Sequence, residues 1–323
     1  MTMNPPIPPR SVSPLPGFKI SRGFQVVVAA RCALFYFAVT AMPVRAGSMT
    51  TDLPVSVSDP SENTRYGLFG LLDHRSSYGQ GVFPEPFLVD DSDLETNEAR
   101  LDWFRSGVAN SHTDLITAEV EKGFGQLTLE VEAPYERTAE GGTVVEGMDN
   151  IDLGARYPLA QYVASNGSFD TTVGVAFEAG VPTNSTVSKN AEWVPKLFND
   201  LRIGDHFTLQ SIFGYSTLSG GGPDGGLQNF EYGFVIGYTI PHEELPIPGV
   251  QQLIPVVEID GATQLNQADH GENNVLGDIA LRANLKTIAG IQPRPGLAFV
   301  FPLTGAAHAQ THWGIYVSLV FEY

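Results

Sequence analysis

The sequence predicts an all-β protein, a transmembrane antiparallel β-barrel of about 12 strands. Three observations carry that expectation. From residue 97 onward, segment after segment alternates apolar and polar residues with the period of a strand. The polar set is rich in Glu, Asp, Gly and Thr and the apolar set in Tyr and Trp, the dyad of a wall with a lipid face and a wet face. Beyond residue 46, no stretch is long and apolar enough for a helix to span a membrane. A soluble two-sheet sandwich is the competing fold, but it would need apolar faces that meet each other.

The chain opens with an export signal. Arg10, Lys19 and Arg22 precede the apolar run "FQVVVAARCALFYFAVTAM", and "VRA" at 44–46 supplies small residues for cleavage after Ala46. Arg31 interrupts the run and argues against a retained anchor. Cys32, the single cysteine, lies within the signal, so residues 47–323 have no disulfide or thiol chemistry.

The full chain holds 18 Lys and Arg against 36 Asp and Glu. Five of those cations precede residue 47, which leaves 13 against 36, a net charge of −23, for the remainder. That excess excludes nucleic acid as a partner, since phosphates demand a basic footprint. It places no limit on a protein inside a bilayer, where outer-membrane lipids meet an apolar band.

Residues 47–96, with "YGLFGLLDHRSSYGQG" and the acidic "VDDSDLETNE", precede the first strand. They read either as an N-terminal periplasmic tail or as a plug in the lumen. Residues 97–323 read as the barrel. Its strands begin with "EARLDWFRS", "DLITAEVE" and "QLTLEVEAPY", in which Leu127, Leu129, Val131, Ala133 and Tyr135 alternate with polar residues. Next come "IDLGARYPL", "TTVGVAFEAGV", the irregular "WVPKLFND", "FTLQSIFGYSTL" and "FEYGFVIGYTI". "LIPVVEIDGA", "GDIALRANLK", "GLAFVFPL" and the terminal "WGIYVSLVFEY" complete the set. Closing such a set removes the sheet edges that invite aggregation.

Alternation assigns the faces. Glu130, Glu132, Asp152, Arg156, Glu178, Glu231, Glu258, Asp260, Asp278 and Arg282 are expected to line the lumen, with Asp102, Glu119, Glu121, Arg100 and Lys286 beside them. The excess of acids points to a cation-preferring pore, because an acidic ring concentrates cations; a salt-bridged, occluded interior is the alternative. Trp103, Trp193 and Trp313 are expected at one membrane interface and Tyr157, Tyr238 and Tyr323 at the other, as two aromatic girdles.

No GxSxG, HExxH, P-loop or dinucleotide fingerprint occurs, so no catalytic residue, metal or cofactor is expected and the chain is read as a non-enzyme. His112, His308 and His312 near one rim are read as polar loop residues. A lipid-hydrolysing site there would need a Ser within hydrogen-bond reach of a His.

The strings "DNIDLGARYPL", "EWVPKLFNDLRIGDHFTLQSIFGY", "QLIPVVEIDGATQL" and "HWGIYVSLVFEY" resemble the outer-membrane barrel family named for the meta-pathway of phenol degradation. The resemblance implies a Gram-negative outer-membrane location and a transporter-like role for a small-molecule solute, hydrophobic or aromatic. It also likens Tyr323, Phe321 and Leu319 to the C-terminal signal that partners the barrel-assembly machinery. A non-transporting structural or adhesive barrel is the alternative.

Overall fold

The computed structural model describes residues 82–90, 92, 97–124, 127–164, 168–220 and 224–323. The expected signal, residues 1–46, lies outside these. Among the described residues no helix is long and apolar enough to cross a membrane.

In chain order the elements are β1 (Asn97–Val108), β2 (Ser111–Phe124), β3 (Leu127–Glu140), β4 (Thr143–Met148), β5 (Ile151–Val163), β6 (Phe169–Val181) and β7 (Ala191–Ile203). They continue as β8 (Phe207–Ser219), β9 (Gln228–Tyr238), β10 (Ile240–Pro241), β11 (Val250–Gln264), β12 (Asn273–Leu285), β13 (Gln292–Pro302), the short helix α1 (Gly305–Gln310) and β14 (Trp313–Glu322). All neighbours are antiparallel. β1 pairs with β14 from Glu98↔Glu322 to Gly107↔Trp313, and β11 pairs with β9, so the sheet closes on itself.

Twelve strands make the wall, as the alternation predicts. The two extra elements are interrupted continuations. β4 extends the line of β5 along β3 beyond a break at Asp149 and Asn150. β10 extends β9 along β11 beyond Thr239.

One rim carries the start of β1 and the end of β14 and is here the terminal rim. The opposite, distal rim carries α1 and the connections 182–190, 220–227 and 265–272, while the terminal rim carries 242–249, of similar length. A tight turn at Gly204 (φ +60°), where a residue with a Cβ is disfavoured, joins β7 to β8 on the terminal rim.

The outward face is apolar and unshielded. Leu101, Leu197, Ile279 and Leu297 are all more than half exposed at 52, 56, 57 and 56 %. A single sheet closed on itself offers these side chains no second sheet, so lipid is the solvent that fits them. The band ends distally in a row of charges: Arg105, Asp114, Arg137 and Glu146 are consecutive register partners across β1 to β4. Arg105 and Arg137 pair with Asp114 at 3.2 and 3.8 Å, and the Trp103 indole N–H donates to it at 3.3 Å.

One ladder lapses. β7 and β8 pair at Trp193↔Thr217 and again at Lys196↔Gly214, but not between. Pro195 explains the gap, since proline has no N–H to donate.

Candidate functional site: the barrel lumen

Residues 82–90 and 92 lie inside the ring of strands. Val82, Phe83, Glu85, Phe87, Val89 and Ser92 are buried. This segment makes no strand pairing and is held by inward-facing side chains. The Glu258 carboxylate on β11 accepts the backbone N–H groups of Phe87 (2.8 Å), Leu88 (2.8 Å) and Val89 (3.1 Å). Three successive amides around one anion form a nest, which offsets the cost of burying that charge.

The remaining contacts come from around the barrel. The Val82 N–H donates to Thr239 Oγ1 at 2.9 Å beside the terminal end of β9. Arg100 donates to the Pro86 carbonyl at 2.7 Å and Arg294 to Glu85 at 3.2 Å. Ser92 donates to Asp200 at 2.6 Å, and Lys196 pairs with both Asp90 and Glu178. The guanidinium of Arg282 lies over the Phe87 ring at 4.5 Å and that of Arg202 over Phe83 at 4.9 Å.

Glycines on the wall make room. A Cβ at Gly233 would come within 2.3 Å of Val89, one at Gly237 within 3.0 Å of Pro84, and one at Gly296 within 2.6 Å of the Phe87 ring. Val82 and Val89 complete an apolar cluster with Phe198, Ile212, Val235, Ile254 and Val256 on β7 to β11. The segment therefore meets both an apolar patch of the lumen and the charged groups beside it.

The lumen also holds the acids read from the sequence. Glu130, Glu132, Asp152, Arg156, Glu178, Glu231, Glu258, Asp260, Asp278 and Arg282 all fall on the alternate positions that face inward. Glu119, Glu132 and Asp152 are register neighbours across β2, β3 and β5, and Glu258 faces Asp278 across β11 and β12. Arg156 pairs with Glu121, and with Glu130 at 3.8 Å. Asp102 accepts from Tyr316 Oη at 2.8 Å and pairs with Arg100.

Lys286 is a correction: it follows the last residue of β12 and is exposed outside the lumen. Three inward cations were absent from the sequence reading, Lys196, Arg202 and Arg294. The first two continue the alternation of "VPKLFNDLR", which Pro195 disguises, and the third sits between prolines in "QPRPG". Acids still outnumber bases among the described inward positions.

The aromatic residues face outward as alternation requires. Trp193 and Trp313 stand at the distal ends of β7 and β14, and Tyr238 and Tyr323 at the terminal rim. Trp103 and Tyr157 stand mid-strand instead, because β1 and β5 run on past the ends expected for them. On the distal rim, His308 and His312 stack at 4.5 Å, and His112 is the register partner of Gly107.

No family model matches the chain, and no curated protein matches it. Among solved structures, it is similar to the COG4313 outer membrane channel from Pseudomonas putida F1, with 12 % identity and a TM-score of 0.46 over 74 % of this chain and 98 % of that one. It is also similar to a KdgM porin, at 13 % identity and a TM-score of 0.39 over 69 % of this chain and 99 % of that one. A NanC porin gives 9 % identity and a TM-score of 0.42 over 70 % and 98 %.

The wall carries one further feature. A concavity of about 650 Å³ opens on the outward face around the lapse at Pro195. Tyr157, Phe177, Phe213, Tyr215 and Phe230 line it with Val175 and Leu197. It is an aromatic surface facing lipid.

Proposed function

We propose that the chain is a channel of the Gram-negative outer membrane that passes small solutes, described here in a closed state with residues 82–92 as the closure. The observation that carries this is the nest on Glu258. A barrel built only as a scaffold has no need to gather three amides of a non-strand segment around one buried wall carboxylate. We assign the terminal rim, which carries the start of β1 and the end of β14, to the periplasm and the distal rim to the cell exterior.

With the segment displaced, the acids on β2 to β6 and on β11 and β12 face open water. The passage would then favour cations, because the inward bases are fewer. An apolar or aromatic solute is a second reading, supported by the aromatic concavity on the outward wall.

The test is conductance in planar lipid bilayers under a salt gradient, with the wild-type chain beside a deletion of residues 82–92. The expected result is a nearly silent wild type and a deletion with discrete, cation-favouring steps. Glu130→Gln with Glu132→Gln in the deletion background should reduce that preference. A deletion variant that inserts as a folded barrel yet stays silent overturns the channel reading.

A further inference from the structure

We propose that His308 and His312 form a two-imidazole site on the distal rim for a transition-metal ion of the copper, zinc and nickel class. His308 lies in the last turn of α1 and His312 just beyond its C-cap, Thr311, where the chain turns back into β14 and brings the two side chains together. The rings stack with centroids 4.5 Å apart and planes 22° apart, so both imidazoles stand within reach of a single ion.

The backbone holds both residues in place. Thr304 caps α1, its Oγ1 accepting from Ala307 at 3.3 Å and from Val275 on β12 at 3.1 Å. Ala307 is fully buried and anchors the helix to the barrel. The His308 N–H donates to the Thr304 carbonyl at 2.9 Å, and the His312 N–H donates to the Gly107 carbonyl at 2.8 Å. The pair is thus fixed at each end while both rings remain exposed to incoming ions.

The donor chemistry selects the ion. The Ala109 N–H approaches His312 Nδ1 at 3.5 Å, which gives that nitrogen a lone pair, the form that ligates metal. That contact is at the edge of hydrogen-bond range and gives way to a metal bond at little cost. Two imidazoles without a carboxylate suit copper, zinc and nickel, and water completes the shell; calcium and magnesium prefer oxygen donors. Histidines elsewhere are engaged differently. His206 and His242 each direct a ring nitrogen to a backbone carbonyl, at 2.8 and 2.9 Å.

The tight carboxylate group Glu98, Glu119 and Glu121 is a different case, because Arg156 pairs with Glu121 and Arg100 lies 3.9 Å from Glu119. Cations of the protein already serve it.

The experiment uses the full chain purified in detergent without a histidine tag, stripped with chelator and titrated with Cu²⁺. Electron paramagnetic resonance should report a single ion per chain with splitting from two nitrogens. His308→Gln and His312→Gln should each abolish that signal, while His112→Gln keeps it. Heat-modifiable migration on gels checks that every variant is a folded barrel. A wild type that binds no copper, a signal surviving the double replacement, or a signal lost on only one of the two replacements overturns the site.

Discussion

Arg294 Nη1 donates to Glu85 at 3.2 Å, joining two buried side chains 209 positions apart in the chain. Arg294 also pairs with Glu322 at the end of β14, so one guanidinium serves both the wall and the segment within it. The two partners are therefore not equivalent. Arg294→Met leaves two acids without their cation and is expected to cost about 3–5 kcal/mol, whereas Glu85→Gln leaves Arg294 paired and should cost much less. Urea unfolding of the refolded barrel measures both. Equal costs would mean that Glu322 does not share the charge.

The nest at Glu258 predicts a local effect. Glu258→Gln removes the charge that three amides share, and hydrogen bonds to charged groups are worth about 1.5–3 kcal/mol each. Hydrogen exchange at Phe87, Leu88 and Val89 should quicken, with the β11 amides unchanged. Exchange that quickens equally in β11 would mean that the wall has loosened and not the segment.

A steric test approaches Phe87 from β13, two strands away from Glu258. Gly296→Val drives a side chain into the Phe87 ring, and overpacking of this kind costs about 1–3 kcal/mol. Conductance events should rise. Adding Phe87→Ala should recover most of the lost stability in a double-mutant cycle, since the two positions share one space. Costs that simply add would show that Phe87 does not press on Gly296.

The lipid face is tested by charge. Ile279→Lys, on the outward face of β12, should cost about 2–4 kcal/mol in vesicles. Ile288→Lys, 70 % exposed in the turn beyond that strand, should cost little. If the two costs match, the apolar band does not end where β12 does.

The strands were legible because alternation is a local property. Each of the twelve quoted segments overlaps a wall strand, and the inward parity of Glu130, Asp152 and Glu258 follows from position alone. Strand ends were less legible, since β1 to β4 extend into a row of charges that satisfies its own members. Proline hid Lys196, Arg202 and Arg294, which alternation by itself would have assigned. The place of residues 82–92 was not readable: "VFPEPFLVD" has no periodicity, and its partners Thr239, Glu258 and Arg294 lie more than a hundred residues downstream. Sequence spacing named an acidic interior, but it left unstated which of those acids an inner segment engages.

On the proposed closure, the course of residues 82–90 and 92 sets how the barrel would empty. Val82 lies by Thr239 and Asn97 begins β1, both at the terminal rim, while Phe87 to Val89 reach inward to Glu258. The segment is a bight of chain and not a thread. A thread leaves a ring only end first, but a bight can leave by the rim at which both of its ends lie. Retreat breaks side-chain contacts and the nest, disrupts no β-ladder, and retraces the same short path on return.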